Sequence, residues 1–324
     1  MEEEPKVTYY DSRKDAAKVL AEREKLRHQR RALWRGTITR LLRNPLFVIG
    51  LMIILIAALM ALSHPLLMDT VWDAHIYNPQ NGYDQNLSFH PSLPSMAHLL
   101  GTDALGRDVL SQLFYAARTS LGVGLLAGIT ATLLALTIGV IAAYYGGWLD
   151  NILMMTADIF MLMPPALITL IVGLVIPMTW WSMGLFFGIL SGLGSLAITC
   201  KHHALTIRIK PYIDASQVAG ANGLHIILKH MIPGMLSVMM VTMMFVVSQA
   251  MMIEALISFY QGSEARLSWG TMIYFIQSTF YLSPHGLPWL AILSPALAIT
   301  LLCGAFYLLG RSLDEVVNPR LRER

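Results

Sequence analysis

Long apolar runs alternate with polar stretches along this chain. About 20 apolar residues are needed to cross the ~30 Å hydrocarbon core of a bilayer. On that measure the pattern predicts six crossings: Leu46–Leu67, Leu121–Tyr144, Ile152–Ile176, Trp180–Cys200, Met235–Phe259 and Leu287–Leu309. The expected fold class is therefore an all-α integral membrane protein with six transmembrane helices. The polar stretches divide the chain into a basic segment 1–45, a first span 46–67, a loop 68–117, a transmembrane core 118–311 and a tail 312–324.

Within the core, 201–234 is too polar to cross. Its part Tyr212–Gly234 reads YIDASQVAGANGLHIILKHMIPG. Asp214 is the expected N-cap of a short helix, with Ala215 and Ser216 following. Gly220 and Gly223 break that helix. Gly220 stands where a left-handed residue commonly ends one. Leu224, Ile227 and Leu228 recur at helical spacing, and Pro233 is expected to stop the run. The reading is two short helices around a glycine-hinged turn, held between spans.

Composition narrows the class. Only 13% of the 324 residues are charged and 55% are hydrophobic, against about 25% charged in soluble domains. The net charge of +3 gives no nucleic-acid footprint. Lys and Arg cluster at 23–43, 201–210 and 311–324, which by the positive-inside rule places both termini and the 201–234 loop in the cytoplasm. The 68–117 loop, rich in Asp, is then extracytoplasmic. No cleavable leader precedes the first apolar run, which is read as an uncleaved anchor. Cys200 and Cys303 are expected as free thiols. His64, His75, His90 and His98 match no compact zinc spacing, so no metal site is expected.

Two carboxylates fall inside predicted spans, Asp158 and Glu254. Such groups are expected to face protein or a cavity, because a mid-membrane charge costs at least ~2.5–3.5 kcal/mol. They are the candidate path or buried polar residues. Pro164-Pro165 should kink or interrupt the third span. Gly122, Gly124, Gly128, Gly139 in the second span and Gly184, Gly188, Gly192, Gly194 in the fourth suggest close helix contact. The seven methionines of the fifth span read as adaptable core. No GxxxxGK[ST], HExxH, GxSxG or CxxC sequence occurs, so no ATPase or hydrolase site is recognisable.

These residues resemble a family. Asp214-Ala215-Ser216, Gly220 and Ile232-Pro233 keep the spacing of the EAA loop of ABC importer permeases. They depart from it with Asp for Glu, Ser216 for Ala, His230 for Ile and Ile232 for Leu. Gly101-Thr102-Asp103-Ala104-Leu105-Gly106-Arg107-Asp108 resembles the GTDxLGRD box of the oligopeptide/dipeptide (peptide/nickel) subfamily. Arg43-Asn44-Pro45, Glu254–Phe259, Ser268-Trp269-Gly270 and Asn318–Arg322 resemble further segments of its C-type subunit. The resemblance covers roughly residues 30–324.

It implies a type I ABC importer permease fold in the cytoplasmic membrane of a prokaryote, and a non-enzymatic transport subunit carrying half of a path for peptides or a related solute such as nickel, glutathione or an oligosaccharide. The implied partners are a B-type permease, two ABC ATPases that hold ATP and Mg, and an extracytoplasmic substrate-binding protein; this chain itself binds no cofactor. The implied ATPase-coupling residues are Asp214, Ala215, Ser216, Gly220, Asn222, Gly223, Ile232 and Pro233. Gly101, Asp103, Gly106, Arg107 and Asp108 are expected as an outer-mouth motif in which Asp103, Arg107 and Asp108 could pair with each other; an ordinary capped turn before the next helix is a compatible reading of the same residues. Two other classes stand beside this reading. A secondary transporter would use Asp158 and Glu254, and an intramembrane enzyme would need a catalytic set that the sequence does not display.

Overall fold

A computed structural model of the chain describes residues 39–87, 89–262, 266–279 and 289–317. Most of the basic N-terminal segment and the Asn318–Arg322 segment lie outside these residues. In chain order the helices are α1 Pro45–Thr70, α2 Ala74–Tyr77, α3 Val109–Tyr145, α4 Gly147–Leu162, α5 Pro165–Val175, α6 Trp180–Leu193 and α7 Ser195–Arg208. They continue with α8 Pro211–Val218, α9 Gly223–Ile226, α10 Ile232–Gln261, α11 Trp269–Ser278 and α12 Trp289–Val317. No strand occurs among the described residues; a single bridge pairs Thr102 with Asp108.

Four helices are long and apolar enough to cross a membrane: α1, α3, α9 with α10, and α12. Two bent pairs, α4–α5 and α6–α7, complete six crossings if each pair is one span. The bends have sequence causes. Met163 and Pro164 are both extended (ψ 109° and 111°), as expected of residues before a proline. Helix restarts at Pro165, where a missing N–H costs nothing, and the pair bends by 66°. The fourth predicted span, read from sequence as one helix, breaks at Gly194 by 50°.

Helix α3 is the pillar of the bundle. It begins at Val109, not at Leu121, so the end of the 68–117 segment is helix and not loop, with Val109, Ala116 and Ala117 fully buried. The stretch 109–120 is polar enough to hide the helix start from a hydropathy reading. Against α3 lies α6, whose Gly184, Gly188 and Gly192 recur every fourth residue. A Cβ at each would come within 2.7–2.9 Å of the Val123, Ala127 and Ala131 carbonyls, so only glycine admits this backbone approach. At one end of α1, Asn44 caps the helix through the Leu46 N–H (3.0 Å) and donates to Glu315 of α12 (3.1 Å). Cys200 and Cys303 are free thiols.

Candidate functional site

The two ends of α3 carry the candidate motifs. At the Val109 end, Asp108 caps the helix, accepting from the Ser111 N–H (2.6 Å). Asp103 accepts from the Arg107 Nε (2.7 Å), the Gln112 amide (2.9 Å) and the Leu105 and Arg107 backbone N–H groups. The Arg107 guanidinium lies over the Phe275 ring of α11, 4.9 Å from its centroid. Gly101 and Gly106 take left-handed φ of +79° and +82° in the turns.

Two parts of this network are not legible in the sequence. His98, one of the four scattered histidines, is fully buried and lies between Asp108 (Nδ1, 2.8 Å) and Asp84 (Nε2, 3.2 Å). Burial pushes the Asp108 carboxyl above the usual range, whereas the Asn86 backbone N–H holds Asp84 below it. Asp103 and Arg107 pair as expected, but Asp108 pairs with His98 instead of Arg107. No group of three or more potential metal ligands occurs among the described residues.

The intramembrane carboxylates separate. Glu254 is fully buried and accepts from Ser258 (2.6 Å) and Ser120 (3.2 Å). Arg266 reaches the same Ser258 hydroxyl (3.0 Å) and the Met178 carbonyl (2.6 Å), stitching the end of α10 to the α5–α6 connection. Burial lowers the pKa of Arg266, and the Glu254 charge opposes that. The sequence does not single out Arg266, because it lies in the connection after the fifth predicted span, outside every quoted motif. Asp158 is exposed on α4 and has no hydrogen-bond partner among the described residues of this chain. Its carboxylate does not face the interior of its own subunit.

At the Tyr145 end sits the 201–234 loop. Lys201 pairs with Asp150 (2.6 Å), and Arg208 donates to the Ala143 carbonyl (2.6 Å), fixing α7 to α3 and α4. Helix α8 then starts at Pro211, with Lys210 at the N-cap and no side-chain cap. Asp214 is thus not the N-cap. Pro211 fills the first position, and Asp214 stands exposed in the first turn, where a negative charge suits the helix dipole. One residue anchors the helix: Ile213 is fully buried among Val140, Ala143, Cys200, Ala204, Ile226 and Met231.

The turn after α8 is a Schellman arrangement. Gly220 N–H bonds to Gln217 (2.9 Å) and Ala221 N–H to Ser216 (3.0 Å). Gly220 has φ +82°, and a Cβ there would meet no atom within 4 Å, so conformation and not space demands glycine. Asn222 caps α9 by accepting from His225 (2.9 Å). Gly223 is not a hinge. It is the first residue of α9, and a Cβ there would come 2.7 Å from the Tyr144 ring. Pro233 does not stop the run either. The chain passes through a π turn at Ile227–Met231, where Ile232 donates to Ile227 five residues back, and continues as α10 with Pro233 in its first turn.

Two departures from the EAA pattern meet here: Ser216 Oγ lies 3.4 Å from His230 Nε2. Tyr212, Asp214, Ala215 and Val218 are exposed, Val218 to 89%. The arrangement is a singly anchored helix that displays one face.

Two family models match parts of the chain. Residues 135–323 match the family described as binding-protein-dependent transport system inner membrane component. Residues 32–94 match the N-terminal transmembrane domain of oligopeptide transport permease C. The chain is 32% identical to a putative peptide transport system permease protein of Brucella abortus over 88% of its length and 92% of the relative's. It is 30% identical to the oligopeptide transport system permease protein OppC of Bacillus subtilis (95% and 96% covered). To the dipeptide transport system permease protein DppC of the same organism it is 33% identical (87% and 84%). A multi-pass bundle, a helix displayed at its basic end and a family match across more than half the chain lead to one statement: this protein belongs to the binding-protein-dependent transport system inner membrane components and has the type I ABC permease fold.

Proposed function

We propose that this chain is one of two permease subunits of an ATP-driven importer for short peptides. A homologous B-type permease completes the path, two ABC ATPases hold the ATP and Mg, and an extracytoplasmic binding protein delivers the ligand. The termini and the 201–234 loop face the cytoplasm, and the 71–108 loop faces outward. The observation that carries the reading is α8. Its position rests on Ile213 and the Gly220 turn, while Tyr212, Asp214, Ala215 and Val218 stay exposed for a partner. ATP-driven closure of the ATPases would draw this helix toward its counterpart, and α9–α10 would carry that movement into the membrane. Asp214 supplies a charge to the interface, and Asn222, Gly223, Ile232 and Pro233 join the helix to the span. The buried, hydroxyl-bonded state of Glu254 supports a structural role and leaves a proton-coupled carrier with Asp158 alone.

The test is a pair of single-cysteine proteins in intact cells. A cysteine at Met96, which is 99% exposed, should react with an impermeant maleimide, and one at Val218 should react only after permeabilisation. Purification from native membranes should bring the ATPases with the chain. External labelling of Val218→Cys, or a preparation without ATPases, would overturn the reading.

A further inference from the structure

At the break between α4 and α5 the bundle holds a cavity of about 300 Å³, lined by Pro165, Ala166, Phe187, Ser191, Gln249, Met252 and Ile253. That is the lower end of the ~300–1,000 Å³ range of small-molecule pockets, room for a side chain with a little backbone. Three elements build it: the Pro165 start of α5, the α6 face carrying Phe187 and Ser191, and the middle of α10. Phe187 and Ser191 are buried at its floor, while Gln249 and Met252 are exposed at its rim.

The polar groups decide what it faces. Gln249 lies in a membrane-crossing helix, exposed, with no hydrogen-bond partner among the described residues. An unpaired amide in hydrocarbon costs about 4–8 kcal/mol, so this rim does not face lipid. Asp158 is exposed and unpaired among the same residues, on the helix that ends at the same break. Ser191 likewise finds no hydrogen-bond partner there, although serines elsewhere in the spans, such as Ser248, donate to a carbonyl one turn back. A carboxamide offers both a donor and an acceptor, the complement of a peptide unit. Everything else in the lining is apolar, and Met252 is adaptable in shape.

We propose that this cavity is a side-chain subsite on the transport path, taking one branched or aromatic side chain of a passing peptide while the Gln249 amide bonds the peptide backbone. The proposal rests on the peptide-importer reading above. It makes the permease, and not only the binding protein, sensitive to side-chain size.

The test uses the complete importer, both permeases with ATPases and binding protein, in proteoliposomes, with labelled tri-alanine and tri-leucine. Variant-to-wild-type ratios cancel the binding protein's own preference. Ser191→Phe fills the floor and should lower tri-leucine uptake about tenfold relative to tri-alanine, whose uptake serves as the internal reference for assembly. Ser191→Val, a smaller filling, should give the same trend more weakly and serves if the Phe variant does not assemble. Gln249→Leu should lower uptake of both peptides alike. Unchanged peptide ratios in an assembled, active Ser191 variant would overturn the subsite, as would photocrosslinking of Gln249 to lipid during turnover. Wild-type importer that takes up neither peptide would instead remove the peptide-importer reading itself.

Discussion

Two loops at opposite ends of α3 use the same kinds of residue in opposite ways. At the Val109 end, Asp84, Asp103 and Asp108 turn inward, and each finds a partner in His98, Arg107, Gln112 or a backbone N–H. At the Tyr145 end, Asp214 is exposed and its carboxylate finds no partner among the described residues. A buried carboxylate needs partners, because an uncompensated charge away from water is costly. An exposed one is free to meet another protein. The first loop is therefore read as architecture and the second as an interface, although each family motif contains at least one glycine at positive φ.

The largest way to break this contrast is Asp103→Ala. It leaves Arg107 buried beside Phe275 without its carboxylate and removes the Gln112 contact. Breaking a buried pair from one side costs about 3–5 kcal/mol, so the expected outcome is a sharp fall in membrane abundance and detergent melting temperature. Abundance equal to wild type would mean that the network is ornamental to folding.

Gly220→Val should do the reverse. Nothing crowds that position, so the penalty is the left-handed backbone alone, about 1–3 kcal/mol. The protein should reach the membrane at near-normal abundance while ATP-dependent uptake is lost. Gly220→Asn should recover part of that uptake, since Asn tolerates the αL conformation. Full uptake by Gly220→Val would remove α8 from the coupling scheme.

The smallest effect is expected at Ser216 and His230. Their contact is long at 3.4 Å, and restoring the family residues by Ser216→Ala with His230→Ile should show a coupling of about 0.5 kcal/mol in a double-mutant cycle of thermal stability. Strict additivity would show the contact to be incidental and α8 to be held by Ile213 alone.

Legibility follows the range of the forces involved. Spans are readable because crossing a bilayer is a matter of length and composition. The Pro164-Pro165 break is readable because proline acts on its own neighbours. The left-handed turn at Gly220 is readable because a helix C-terminus is a local event. The sequence pattern favours Asp214 as a cap, but Pro211 offers an earlier start. It favours Pro233 as a stop, but a π turn absorbs the proline. The start of α3 is hidden because Ser111, Gln112, Arg118 and Ser120 look like loop residues in a hydropathy count. In the bundle their side chains reach His64, Asp103, the Ala61 carbonyl and Glu254.

The sequence by itself determined the class, the count of apolar runs, the glycine turn and the polar stretch that carries it. Each depends on residues near one another in the chain. Only the tertiary structure decided which polar groups are paired: His98 between two aspartates, Arg266 joined to Glu254 through Ser258, Gln249 and Asp158 left bare among the described residues. Pairing depends on which distant segments the bundle brings within about 3 Å of each other, and chain order does not encode that distance.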